Sequence, residues 1–224
     1  MATADWLLDI LLLVALVGIC LWAILHQRQQ RRRLVQELES LLPSDWCCDP
    51  TGSYQDELEF FQDLHRRTTA ESKQLPFFYQ TDQHSGEETT WLFGNDKGGL
   101  SRYTIGNSAT WVQRLSLNNT PQFLLLMCSG KFLEDCGDDR YSVVRITKTK
   151  PRWMLCDRVG DEGGWQIAEH VLSAGLPSGV YAVQYSRGYI FVFGKTMLKA
   201  KSYVELIEAS EHIVGLLARE SGDW

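Results

Sequence analysis

Six cysteines and five histidines are the residues of this 224-residue chain whose chemistry first needs an account. Cys20, Cys47, Cys48, Cys128, Cys136 and Cys156 form no C-x-x-C pair, and His26, His65, His84, His170 and His212 stand at no metal-ligand spacing from them. A zinc site needs several such donors converging, and H-E-x-x-H is absent, so no metal is expected. Glu134, Asp135, Asp138 and Asp139 surround Cys136 and Gly137 but lack the alternation of a calcium loop. The glycine-rich stretches 94–99 and 160–164 lack the lysine and hydroxyl of a phosphate loop, and their acidic residues repel phosphate, so both read as turns. No G-x-S-x-G elbow occurs. The expectation is no cofactor and no catalytic set. An enzyme would have to assemble its site from dispersed polar residues such as Asp157, Arg158 and His170.

Two basic stretches are better placed for binding than for catalysis. Arg145, Lys148, Lys150 and Arg152, with Arg158 beyond them, form the first; Lys195, Lys199 and Lys201 form the second. If they meet across a sheet they could bind an acidic partner, while edge lysines also discourage strand-to-strand aggregation. The overall charge of −6 excludes general nucleic-acid binding, which needs a basic surface. Cys128 and Cys156 lie in apolar runs and read as core thiols, whereas Cys47 and Cys48 follow a membrane segment closely enough for acylation to be conceivable.

That membrane segment runs from Trp6 to Leu25, and Asp9 is its only charge. Twenty residues at 1.5 Å rise span about 30 Å, the thickness of the hydrocarbon core. Trp6 and Trp22 stand near its ends, as interfacial aromatic rings do. A cleaved signal peptide is disfavoured, since no basic residue precedes the apolar run and no small-residue cleavage site follows it. Arg28, Arg31, Arg32 and Arg33 come directly after the span. By the positive-inside rule they place the N-terminus outside and the C-terminal body in the cytoplasm of a single-pass cell-membrane protein. The body is more acidic than the whole, since four arginines but only Asp5 and Asp9 precede it. Repulsion from anionic lipid is therefore expected to prevent close docking beyond the arginine collar.

Residues 29–42 read as a juxtamembrane helix with an apolar stripe of Leu34, Leu38, Leu41 and Leu42, stopped by Pro43. Residues 44–53 read as a break, and Ser53 as the cap of a helix reaching Arg66 and Arg67. Strands are expected over 77–80, 89–93, 100–105, 110–117, 122–128, 141–148 and 152–157, most of them as an antiparallel meander. A helix is expected over 165–176, then a hairpin of 180–185 and 189–193. A last helix should be capped by Ser202, with Glu205 at the capping-box position. The order gives an α+β fold: an N-terminal transmembrane helix and stalk, then a mainly antiparallel sheet with flanking helices. The boundaries are 1–27 for the anchor, 28–52 for stalk and linker and 53–224 for the soluble domain, and a fragment starting near Ser44 is expected to fold alone.

The stretches WLFGNDKGGLSRYT (91–104), TPQFLLL (120–126) and GVYAVQYSRGYIFVF (179–193), behind a span with a basic collar and before an apolar C-terminal helix, carry a resemblance. The chain resembles a broad bacterial family of single-span, membrane-anchored proteins of unknown function. The resemblance implies the fold and the membrane placement and carries no assigned chemistry. Together the residues point to a membrane-tethered cytoplasmic module for protein interaction or envelope assembly. It would contact the bilayer through residues 6–25 and a protein partner through Arg145, Lys148, Lys150 and Arg152.

Overall fold

The computed structural model describes residues 2–49, 73–81, 88–96, 108–115, 117, 120–128, 141–196 and 199–220. The expected helix from Ser53 and strand 100–105 lie outside these residues, as does the acidic cluster around Cys136.

The first helix, α1 (Ala2–Leu41), is continuous. Its apolar part has a mean hydropathy of 2.4, includes no residue buried in the body, and is long enough to cross a membrane. Past the arginines its environment changes. Leu34 and Leu38 are buried in the core of the body, and Val35 and Leu42 pack beside them. The stretch expected to be a free stalk is therefore in part a structural helix of the domain. The next residues also join the fold: β1 (Trp46–Asp49) pairs antiparallel with β2 (Lys73–Thr81) where a break was expected.

Then follow β3 (Glu88–Asp96), β4 (Ser108–Arg114), β5 (Phe123–Cys128), β6 (Tyr141–Ile146) and β7 (Arg152–Arg158). After them come α2 (Gly164–Ser173), β8 (Val180–Ser186), β9 (Tyr189–Lys195) and α3 (Ala200–Glu220). The described strands make one antiparallel sheet in the order β1-β2-β3-β4-β9-β8-β5-β7-β6. The α+β architecture is as expected, but the meander is interrupted. The β8–β9 hairpin enters between β4 and β5, because its residues Ile190 to Phe193 are apolar on both faces and such a strand belongs at a sheet's centre. Arg187 and Gly188 join its strands with φ of 52° and 79°, the two left-handed residues that a two-residue turn between twisted strands requires.

One row across the sheet shows how the strands share a face. Cys48, Phe78, Leu92, Trp111, Val192, Val183, Leu125 and Leu155 are successive partners. All of them belong to or pack against the core cluster that holds the inner sides of α1, α2 and α3. The opposite face carries a second cluster of Trp91, Val112, Ala182, Phe191 and Phe193.

The helix ends depart from expectation in detail. α3 begins at Ala200, and the Ser202 N–H donates to the Lys199 carbonyl at 2.9 Å, so Ser202 lies inside the first turn rather than capping it. Glu205 pairs with Lys201 at 3.7 Å instead of closing a capping box. In α2 the first residue is fixed by closeness. A Cβ on Gly164 would stand 2.3 Å from the Gln122 carbonyl oxygen, so only glycine lets the helix start against the chain entering β5.

Candidate functional site

One end of the described sheet is β6, and most of it is exposed. Val143, Val144 and Ile146 stand 47%, 47% and 41% exposed, an unusual state for β-branched residues of a strand. A shift of register between Val143 and Arg145 leaves Val144 bulged out of the ladder with β7. Bulges at a sheet edge bend the strand and hinder indiscriminate edge pairing. Beside β6 runs a groove of about 570 Å³, lined in part by Ser142, Val144, Arg158, Val159, Trp165 and Gln166.

Asp157 also reaches this groove and is itself buried. Its carboxylate accepts the backbone N–H of Trp165 at 2.5 Å and of Gly163 at 3.2 Å. α2 has no capping side chain of its own, since Gly163 stands at the cap position with φ 99°. Asp157 thus supplies the cap from the neighbouring strand, satisfying two of the helix's orphan donors and meeting the positive end of its dipole. Both carboxylate oxygens are engaged in holding α2 to β7.

Arg158 donates to the Gln122 side-chain oxygen, which also accepts from the Ser186 hydroxyl at 2.7 Å. His170 is exposed on α2 and is not among the residues lining the groove. Asp157 and Arg158 therefore come together, but each is committed to a structural bond and His170 does not join them. Among the described residues no three His, Cys, Asp or Glu side chains converge as metal ligands.

Among the described residues, two titratable groups depart from their ordinary values, and both lie elsewhere. Burial pushes the Cys128 thiol up, partly offset by the nearby Arg152 charge. Burial also raises Glu211, and the carboxylates of Glu208 and Asp45 add to the effect. For an acid held above its usual value, the folded state keeps its proton longer, so the fold loses stability as pH rises through that range. Asp45 takes a 2.5 Å hydrogen bond from the Gln80 amide, which ties the end of α1 to β2.

The residues singled out in the sequence separate into three sets. Trp6 and Leu25 are exposed near the two ends of the apolar stretch of α1, and Arg28, Arg32 and Arg33 are exposed on the turns that follow; Arg31 lies on the same helix. Arg145 is ion-paired with Glu169, which joins β6 to α2. Lys148, Lys150 and Arg152 are exposed at the tip of the β6–β7 hairpin, closed by Thr147, whose hydroxyl accepts the Trp153 N–H at 2.8 Å. The exposed valines of β6 carried no distinguishing sequence signal, because YSVVRI reads like any interior strand. Of the cysteines, Cys156 is a core thiol as expected, Cys128 is half-buried, and Cys47 and Cys48 lie in β1 rather than in a turn.

No family model matches the chain, and no curated protein matches it. Among solved structures it is similar to the crystal structure of the mycobacterial trehalose monomycolate transport factor A, TtfA. The TM-score is 0.51 at 10% sequence identity, over 85% of this chain and 95% of that one. At that identity the likeness concerns the fold.

Proposed function

We propose that this chain is a single-pass, membrane-tethered module of an envelope assembly that works by binding a protein partner along its β6–β7 edge. The observation that carries the reading is the exposure of Val143, Val144 and Ile146 on the last described strand, beside a groove and a cationic hairpin tip. Exposed apolar side chains rimmed by polar ones are the usual mark of an interaction surface. The fold likeness to a protein titled a transport factor supports an envelope role without specifying cargo. The engagement of Asp157 in capping α2 favours a binding role over catalysis at the groove. The arginines after the span favour a cytoplasmic body.

The test is capture from membranes solubilised in detergent, using the full chain and the double variant Val144→Glu, Ile146→Glu. Both positions are exposed, so stability should change by no more than about 1 kcal/mol for the pair. The partners recovered with the parent chain should be lost with the variant. An unchanged set of partners would remove the β6 edge from the reading.

A further inference from the structure

Strand registers place six cations of the two basic stretches at one end of the sheet, while Arg145 lies mid-strand and Arg158 at the other end. Arg152 pairs with Cys128 at the end of β5, and Val180 of β8 pairs with Gly194 beside Lys195. Leu126 opposite Ala182 links the two halves. Arg152 and Lys195 therefore stand three strand spacings apart, about 14 Å, at the same end. Lys148 and Lys150 occupy the hairpin tip beyond Arg152, and Lys199 and Lys201 begin α3 directly after β9; all of them are exposed.

This is the end from which α1 enters. α1 finishes near Asp45, which bonds Gln80, and Gln80 pairs with Thr90, itself opposite Gln113 and then Ile190. That is the far end of the sheet, where β9 starts. α1 packs beside α3 and over β2, and β1 returns along β2 toward Asp49 and Phe77. Leu34 and Leu38, buried on the final turns of α1, therefore lie between the Lys195 end and Asp45. α3 runs the same way, since Glu211 on its second half feels Asp45. Continued backward as one helix, α1 leaves the body past the lysines, and Leu25 is only nine residues, about 14 Å, before Leu34.

From this geometry we infer that the membrane-facing end of the domain is a docking surface for anionic lipid headgroups, built by Lys148, Lys150, Arg152, Lys195, Lys199 and Lys201 at the end of the sheet past which α1 leaves the body. The net negative charge of the body argued against docking, but surface attraction acts within a Debye length and depends on which end faces the bilayer. The arginine collar and the six cations then face the same bilayer surface. Because the helix and sheet share a core, the surface is held at the headgroups rather than sampling them on a tether. The inference does not depend on which side of the membrane the body occupies, nor on any protein partner at β6.

The experiment uses the full chain in nanodiscs, with Thr149 at the hairpin tip replaced by the photocrosslinker p-benzoylphenylalanine. A control carries it at Val159, exposed at the opposite end. In discs containing phosphatidylglycerol, lipid adducts at Thr149 should exceed those at Val159 by about ten-fold. They should fall several-fold in pure phosphatidylcholine, in high salt, or with Lys148→Glu and Lys195→Glu together. Equal adducts at the two positions would overturn the placement. Adducts at Thr149 that ignore lipid charge and salt would overturn the recognition of anionic headgroups.

Discussion

Phe191→Ala should destabilise the domain by about 3–5 kcal/mol, lowering the melting temperature by roughly 6–20 °C. Phe191 is fully buried in β9, between Val112 of β4 and Gln184 of β8, in the second cluster with Trp91 and Phe193. Its ring stacks on Phe193 at 6.5 Å, and Phe193 in turn meets Tyr181 at 6.2 Å. Truncation removes most of an aromatic side chain from a place where neighbouring strands on both sides prevent collapse. Thermal melts of parent and variant in the same detergent measure the loss. Partner capture per folded molecule should not change, since a residue with no exposed surface touches no partner. An unshifted melt with failed capture would reverse this and make Phe191 an interface residue.

The second large effect concerns where the domain starts. A fragment beginning at Ser44 lacks Leu34, Val35 and Leu38, which fill the core beside α3 and β2. Burial of each leucine contributes about 1.5–3 kcal/mol, so the fragment should melt well below one beginning at Gln29, bind a hydrophobic dye and aggregate. Leu38→Ala in the full chain isolates the cause and should cost about 2–5 kcal/mol. Equal melting temperatures for the Ser44 and Gln29 fragments would mean that α1 merely rests on the body. Reasoning from length alone favoured the shorter fragment, because enough residues remain to bury a core. The burial of Leu34 and Leu38 in the core puts the placement of residues beside their number. One face of the sheet is closed partly by the helix that also carries the apolar span.

What was legible in the sequence rested on patterns that neighbouring residues create. The apolar run from Trp6 to Leu25, the arginines behind it, the β8–β9 hairpin around Arg187 and Gly188, and the apolar face of α3 are such patterns. Hydropathy, turn conformation and helical period are set within a few residues, so these features did not need the rest of the chain. The α+β class followed from their order.

The tertiary structure decided what depends on residues far apart. Trp46 to Asp49 form a strand only because β2 offers an edge, although their sequence reads as a break. The β8–β9 hairpin lies at the centre and β6 at one end because pairing between distant strands is chosen by total burial, which no local window contains. Asp157, one of several dispersed polar residues in the sequence, caps α2 from another element. Six of the eight cations of the two basic stretches, Lys148, Lys150, Arg152, Lys195, Lys199 and Lys201, belong to separate segments with an acidic average around them. Only the register of four strands and the direction of α1 bring them to one end, and electrostatic attraction follows position rather than net charge.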